Sequence, residues 1–490
     1  MIKTEPEKNN APTPQPHKIN TGASAAKIVL ILQILLGLNL IFTICQMFGS
    51  SLNMADDVEH LRAAYFVSLG DVPYRDFFEH HHPLLWYILA PLVAILPHNT
   101  ATALFVGRII CFGVSLITGW FIYKMEKKFI GNKICALLCL NLYFLVFDNI
   151  TFSGLFQVKP DIFQRCCFFI GLYYLFGYFH YHKFRDLQIA AVAFTLSFLF
   201  LQTVALSGAL LAIPLIFFLS KYPQKWPDLP KAALLPLAML GVGAYALWRA
   251  DCLPAYYELN WQLNSLLVKM WFSPTIVTLL PFVLVLLAAI TAIISLIRRK
   301  KISIFRLSVA LLFAGELVRC IFTVRSVQHY LPMLIFAAMI AAPLICRKKS
   351  LFKAFFGFTA LYIIFAVSDI PQPLTKSVPF ALMDKTEYGL TITPGGVFAK
   401  RPAYYWSHIP AETFHDIYFH SVADYDINEL NRQYPQELVF YFPDWSPFEY
   451  LVLENALDSE QQKVMKKHFI GLESLQDYQK IGAYAYIRKH

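Results

Sequence analysis

Charged residues are scarce in this chain, and their scarcity excludes an ordinary soluble protein. Of its 490 residues only 15% are charged, while 57% are hydrophobic and 16% are aromatic. A soluble domain carries about 25% charged residues, so this chain lacks the polar side chains to cover itself in water. Its net charge of +10 does not indicate nucleic acid, because the cations cluster in short loops between apolar runs. The expected partner is the lipid bilayer.

The cysteines lack the spacing of a disulfide framework. No Cys-x-x-Cys pair occurs among the nine, and most, including Cys111, Cys135 and Cys166, lie in apolar runs. A disulfide scaffold and a metal site built on cysteine are therefore both excluded.

Long apolar runs dominate residues 27–368. These runs predict an all-α polytopic membrane region. A transmembrane helix needs about 20 mostly apolar residues. Suitable runs predict about eleven spans, near residues 27–48, 103–123, 134–147, 162–179, 187–201, 204–219, 232–248, 275–297, 305–322, 330–345 and 354–367. A shorter run, 84–96, is flanked by Pro83 and Pro97 and predicts an interfacial or half-inserted segment.

The distribution of lysine and arginine predicts the orientation. Alternate loops are rich in these residues, as in 124–133, 221–231, 298–306 and 347–353. The positive-inside rule places these loops and the N-terminal tail in the cytoplasm, and an odd number of spans places the C-terminus outside. Residues 1–26 are rich in Pro, Asn, Lys and Glu and predict a disordered cytoplasmic tail.

Residues 369–490 differ in character from the membrane region. Segments 438–442 and 483–487 alternate as strands do, whereas 448–457 and 460–468 are typical of helices. We expect a small soluble extracytoplasmic α/β domain. It shows no phosphate-binding loop, nucleophile elbow or metal motif, which favours a lid or an acceptor-docking domain without chemistry of its own.

The first external loop, residues 49–102, is long and unusually acidic. Asp56, Glu59 and His60 have the i, i+3, i+4 spacing of one helix face, whereas Asp57 would point aside. A second stretch reads Gly70-Asp-Val-Pro-Tyr-Arg-Asp-Phe-Phe-Glu-His-His-His-Pro83. Ionisable residues at the membrane boundary are costly and indicate function by default. Composition alone leaves a solvated external loop as the alternative.

This acidic loop resembles the GT-C membrane glycosyltransferases, which include the lipid A aminoarabinose transferase and the polyprenyl-phosphate-mannose-dependent mannosyltransferases. Three later motifs are similar to theirs: Lys159-Pro-Asp161, Gln202-Thr203 and His329-Tyr-Leu-Pro332. The resemblance implies a GT-C-like fold, an outward-facing catalytic loop and a polyprenyl-phosphate-linked sugar as donor, in the bacterial inner membrane. Leu201 departs from the pattern, because many relatives carry a lysine there.

The implied reaction moves a hexosyl or pentosyl group to an envelope glycan, lipid or protein acceptor on the outer face. Polyprenyl phosphate is a good leaving group, so its departure needs no acid catalyst. The acceptor hydroxyl, in contrast, needs a base to remove its proton. One carboxylate base opposite the leaving group gives inversion. The resemblance carries the base role onto Asp56, with Asp57 as the second catalytic candidate. Because position 201 is not lysine, the cation facing the donor phosphate would be Lys159, Arg319 or Arg325.

Further polar side chains of the loop and the later motifs are candidates for binding substrate: Glu59, His60, Tyr74, Arg75, Asp76, Glu79, His80, His81, Asp161, Gln202, His329 and Tyr330. Each has a plainer structural interpretation. Lys159 and Asp161 suit a helix start, Glu316 and Arg319 suit an i, i+3 ion pair, and His329 and Tyr330 suit packing at the membrane interface.

The run His80-His81-His82 next to Glu79 raises the question of a metal. Three consecutive histidines cannot all face one ion on a regular element. We therefore assign no metal site and no certain cofactor, and expect hydrogen bonding to donor or acceptor. A divalent metal stays an open alternative.

Two other classes of function compete with a transferase: a transporter or flippase for lipid-linked sugars, and a non-catalytic membrane assembly factor. Transporters usually show internal repeats and helices broken near the midplane. This sequence shows no repeat, and its polar residues gather in external loops. These observations favour the transferase.

Overall fold

The computed structural model describes most of the chain up to residue 353 and short stretches beyond it. The described residues are 23–49, 54–146, 154–265, 286–287, 289–291, 293–294, 302–323, 331–347, 350–353, 357, 389–392, 397–398, 405–406, 409–410, 438–441, 478–480 and 485–488. Up to residue 353 these are predominantly helical, as the apolar runs predict.

Twelve helices are named here in chain order: α1 Ala23–Gly49, α2 Met54–Leu69, α3 Leu84–Ile95, α4 Thr100–Met125, α5 Lys133–Val146, α6 Pro160–Tyr181, α7 Phe184–Phe200, α8 Val204–Lys221, α9 Asp228–Arg249, α10 Leu253–Tyr257, α11 Ile304–Thr323 and α12 Leu331–Arg347. Helix α4 continues as a π-helical turn, Glu126–Ile130, and α10 continues as Glu258–Leu263. A short 3-10 turn, Pro223–Lys225, precedes α9.

Five of the described helical segments are long and apolar enough to cross a membrane: Ala25–Phe48, Thr100–Ile130, Pro160–Tyr181, Val204–Lys221 and Pro223–Arg249. Three others are apolar but shorter, and α3 is one of them. Helix α3 also contains Pro91, which fits the predicted half-inserted segment. Most of the predicted spans 275–297 and 354–367 lie outside the described residues.

The cations at the predicted cytoplasmic ends of the helices lie together. The Lys128 ammonium is 4.6 Å from the ring centroid of Tyr181 at the end of α6, and Lys183 also lies over that ring. Arg306, at the start of α11, donates to the carbonyl of Ile130, 3.2 Å away. The ends of α4 and α6 and the start of α11 therefore meet at one end of the bundle.

The first loop covers the opposite end of the bundle. Helix α2 lies against α3 and α4, and its Leu61 meets α4 at Gly107. A Cβ atom at Gly107 would lie 2.8 Å from Val158 and 3.3 Å from Leu61. A side chain at position 107 would therefore force Val158 or Leu61 to move, so glycine favours the close approach of α4 to the loop helix and to the segment that leads into α6.

Six short strands are described in residues 389–488: β1 Gly389–Ile392, β2 Tyr405–Trp406, β3 Ile409–Pro410, β4 Leu438–Tyr441, β5 Tyr478–Lys480 and β6 Ala485–Arg488. Strands β1, β4, β6 and β5 form one sheet in that order, with β1 and β4 parallel and the other pairs antiparallel. Strands β4 and β6 lie at two predicted strand segments. The predicted helices 448–457 and 460–468 lie outside the described residues.

Candidate functional site

The first turn of α2 is held from two sides by Asp57. Its Oδ2 accepts from Arg108 Nε and Nη2, at 2.8 and 2.6 Å, and its Oδ1 accepts from the backbone N–H of Val158. Both side chains of this ion pair are completely buried. Asp57 therefore joins α2 to α4 and to the residue that precedes Lys159.

Polar side chains beyond α10 hold the histidine run in place. Asn260 Nδ2 donates to the carbonyl of His81 at 2.7 Å, and Asn264 Nδ2 donates to that of His80 at 2.6 Å. The buried hydroxyl of Tyr74 also donates to the His81 carbonyl, and Asn260 contacts that hydroxyl as well. The backbone of the run is therefore fixed against the π-helical turn.

The side chains of this run form a compact cluster with two carboxylates. His81 Nδ1 lies 3.4 Å from Glu79 Oε2 and 3.7 Å from Glu59 Oε1. The ring centroid of His81 lies 4.1 Å from that of His80 and 4.8 Å from that of His60. We call Glu59, His60, Glu79, His80 and His81 the histidine–carboxylate cluster.

His60 is the deepest member of this cluster. Its Nδ1 accepts from the indole N–H of Trp86 at 3.2 Å, so the neutral ring carries its proton on Nε2. Burial lowers the pKa of His60 well below its usual range, and His81 and Lys159 lower it further. Burial and His81 also hold the pKa of His80 well below the usual value. Both rings are therefore neutral at pH 7.

Part of the cluster has the donor set of a metal site. One ligand atom each from Glu59, His80 and His81 lies within 4.8 Å of the others. Neutral imidazoles and a carboxylate are ordinary ligands of divalent transition metals. Only two of the three consecutive histidines converge, and Glu59 from α2 lies beside them as a candidate third ligand.

A small cavity with both polar and apolar lining lies beyond the start of α6, between α6, α8, α11 and α12. Its volume is about 40 Å³, enough for a few water molecules. Among its lining are two acidic and two basic side chains, Asp161, Arg165, Glu316 and Arg319. We call these four residues the cavity quartet.

The quartet residues make close contacts with one another and with their neighbours. Arg319 Nε donates to Glu316 Oε2 at 2.7 Å, and the Ser207 hydroxyl donates to Glu316 Oε1, also at 2.7 Å. Arg165 donates to the carbonyl of Gly154 at 2.7 Å. The expected i, i+3 pair of α11 is therefore present, and it lies inside a cavity that Asp161 also lines.

The structure gathers some predicted site residues and separates others. Lys159 and Asp161 begin α6 between the cluster and the cavity, and the cavity lining includes Arg319 but not Lys159 or the first loop. Gln202 donates to the carbonyl of Asn260 at 3.0 Å. Arg75 and Asp76 pair with each other at 2.8 Å on the exposed side of the loop.

Four predicted residues cannot be placed in this geometry. Asp56 belongs to α2, but its side chain is not among those described. Arg325, His329 and Tyr330 lie outside the described residues.

Sequence reasoning missed Arg108, Arg165, Asn260 and Asn264. The two arginines interrupt apolar runs, which was a usable signal, because a buried arginine in a span requires a partner. The asparagines carry no such signal, since asparagine is common in exposed loops.

Part of the chain is similar to a known family of glycosyltransferases. Residues 80–248 match the family described as dolichyl-phosphate-mannose-protein mannosyltransferase. A sequence search of curated proteins gives no match.

Solved structures show a related fold. The oligosaccharyltransferase AglB from Archaeoglobus fulgidus, in complex with an inhibitory peptide and a dolichol-phosphate, aligns with a TM-score of 0.51 and 11% identity. The alignment covers 95% of this chain and 74% of AglB. An apo structure of an oligosaccharyltransferase from the same organism aligns with a TM-score of 0.49 and 10% identity. That alignment covers 94% of this chain and 74% of the other. The partial family match agrees with the resemblance to GT-C enzymes, and the AglB structure agrees with the expected fold.

Proposed function

We propose that this chain is a GT-C type membrane glycosyltransferase, which transfers a hexosyl or pentosyl group from a polyprenyl-phosphate donor to an envelope glycan, lipid or protein acceptor. The observation that carries the proposal is the position of Lys159 and Asp161. These residues begin α6 between the histidine–carboxylate cluster and a cavity that contains two arginines. The first turn of α6 thus lies between the histidine–carboxylate cluster, which could bind hydroxyl groups, and the cavity with its arginines, which could bind a phosphate.

The donor phosphate would lie near Lys159 and Arg319. Arg319 is 14% exposed and faces a polar cavity inside a predicted span. A fixed cation that meets developing negative charge is usually the largest single contribution to such catalysis. The matched family is named for a dolichyl-phosphate donor, and AglB was solved with dolichol-phosphate. Both support a lipid-phosphate donor here.

The acceptor hydroxyl would lose its proton to Asp56. Asp57, the next residue, is tied to Arg108 and to the backbone of Val158, which fixes the turn of α2 that carries Asp56. The base therefore has a rigid support beside the start of α6. Attack opposite the phosphate would invert the anomeric configuration.

The membrane arrangement in this proposal has about eleven spans, with the first loop and residues 369–490 on the outer face of the cell membrane. The cytoplasmic side is the end where Lys128, Lys183 and Arg306 gather. Residues 397–398 already contact the loop region. The Val397 N–H donates to Thr100 at 2.8 Å, and Phe398 stacks on His98 at 4.8 Å. This contact suits a domain that guides acceptors to the loop.

The proposal is tested by analysing lipid-linked sugars in cells with and without the gene. We expect a polyprenyl-phosphate sugar to accumulate without the gene, and its sugar identifies the donor. Complementation with wild type should remove it, whereas the Asp56→Asn variant at equal protein level should not. Unchanged lipid-linked sugars in the deleted strain would contradict the proposal.

A further inference from the structure

In the cavity quartet, the Glu316 carboxylate pairs with Arg319, the cation that we propose meets the donor phosphate. Glu316 Oε2 lies 2.7 Å from Arg319 Nε, and the Glu316 side chain is only 7% exposed. Its other oxygen is fixed by Ser207, which is also buried. Glu316 is therefore held in a defined orientation against Arg319 by two helices.

The quartet is balanced in formal charge, with two carboxylates against two guanidinium groups. Buried charges are costly unless paired, so this balance stabilises the cavity when no ligand is bound. A phosphate that enters adds at least one negative charge. The cavity volume of about 40 Å³ also leaves little space, so side chains must move.

The position of the quartet in the bundle fits a lipid phosphate that arrives from the outer leaflet. Helix α11 begins at the cation-rich end, where Arg306 contacts Ile130, and Arg319 lies in its last turns at the end covered by the first loop. Asp161 lines the cavity from the first turn of α6, two residues beyond Lys159.

We propose that Glu316 is an internal counter-ion that holds Arg319 before the donor arrives, yields it to the lipid phosphate, and takes it back as the product leaves. The inference deepens the proposed function and rests on it. The donor is a phosphodiester with one negative charge, whereas the product, polyprenyl phosphate, is a monoester that carries up to two at neutral pH. The product is thus held more tightly by Arg319, and competition from Glu316 promotes its release.

The experiment measures binding of a short prenyl monophosphate to the purified full-length protein in detergent. Glu316→Gln keeps the hydrogen bond from Ser207 but removes the competing charge. We expect its Kd to fall about tenfold, at the lower end of what a charge-assisted contact contributes. Arg319→Ala should weaken binding by a similar factor. In the Arg319→Ala background, the Glu316→Gln change should alter Kd less than threefold.

Glu316→Met, of similar length and without charge, replaces the Gln variant if that variant does not fold. If the folded Glu316 variant binds the prenyl phosphate with an unchanged or higher Kd, the inference is overturned. If Arg319→Ala nevertheless loses both binding and turnover, the proposed donor site stands. The inference is also overturned if Glu316→Gln tightens binding equally in the Arg319→Ala background. The gain in affinity would then not come from releasing Arg319 to the phosphate. Failure of the wild-type protein to bind the prenyl phosphate counts against the proposed function itself.

Discussion

Asp57 and Arg108 form a fully buried ion pair that joins the first loop to the membrane bundle. The Asp57 carboxylate accepts two hydrogen bonds from the guanidinium, at 2.6 and 2.8 Å, and neither side chain is exposed. Arg108 Nη1 also donates to the carbonyl of Met47, at 3.2 Å. The pair therefore connects the end of α1, the start of α2 and the middle of α4.

Breaking this pair from one side should destabilise the protein strongly. Asp57→Asn leaves the Arg108 guanidinium without its counter-ion, and Arg108→Met leaves the Asp57 carboxylate without its own. An uncompensated buried charge of this kind typically costs about 3–5 kcal/mol. The double variant Asp57→Leu with Arg108→Met removes both charges, so it should be closer to wild type than either single variant. Thermal unfolding in detergent measures this. Equal losses in Tm for the double and single variants would contradict the structural role.

Arg319→Ala should reduce turnover by about 2–4 kcal/mol of transition-state stabilisation, the range for losing one preorganised donor. The physical reason is that the leaving phosphate gains charge as the glycosidic bond breaks. The matched control is Arg306→Ala, which removes an arginine from the other end of the same helix. A folded Arg319→Ala protein with normal turnover would show that other residues hold the phosphate, and Lys159 and Arg325 would be tested next.

Metal removal tests the donor set formed by Glu59, His80 and His81. Their ligand atoms lie within 4.8 Å of one another and would have to move slightly closer to bind one ion, so a divalent cation held there would make turnover fall with a chelator and recover with Mn²⁺ or Zn²⁺. Glu59→Gln should lower the retained metal, measured by elemental analysis of the purified protein. His98→Asn, a histidine of the same external region, is the control. Full activity with no bound metal would leave the cluster as a hydrogen-bonding site.

Reporter fusions test the orientation. Fusions at Lys128, Arg299 and Lys348 should report cytoplasm, because lysine and arginine concentrate in those loops. A fusion after Pro371 should report the outside. A cytoplasmic signal at Pro371 would mean that the number of spans is even.

The helices could largely be predicted from the sequence, whereas their contacts could not. The apolar runs 103–123 and 162–179 became Thr100–Met125 and Pro160–Tyr181, because a long apolar run has few alternatives to a helix in a membrane. Helix ends moved by only a few residues. The short helix Leu84–Ile95 was predictable from the apolar run 84–96 and its flanking prolines, and its half-inserted position stays a prediction.

The site was only partly predictable, because its contacts join distant segments. Asp57 was expected to point aside, yet it meets Arg108, 51 positions away, and Val158 beyond that. The Glu316 and Arg319 pair was expected, since i, i+3 spacing places both on one helix face. That Ser207 and Asp161 would lie at the same cavity required the packing of four helices. The pattern of apolar residues along the sequence shows where helices form, but it does not show which helices pack against each other.

We propose that Asp56 is the base in transfer from a polyprenyl-phosphate donor. Asp56→Asn keeps the shape and the hydrogen-bonding capacity of the side chain but removes its basicity. A general base typically contributes about 10²–10⁴-fold, so turnover should fall by that factor while donor binding and Tm stay near wild type. If Asp56 merely caps α2, the Asn variant should be nearly silent, because Asn caps about as well as Asp.

The most direct measurement follows a labelled polyprenyl-phosphate sugar in vesicles that contain the purified protein and an acceptor. We expect wild type to release free polyprenyl phosphate in equal amount to the glycosylated acceptor, and Asp56→Asn at matched protein level to release none. Donor that stays intact and appears on the opposite leaflet would instead show a flippase, and an active Asp56→Asn protein would contradict the base assignment.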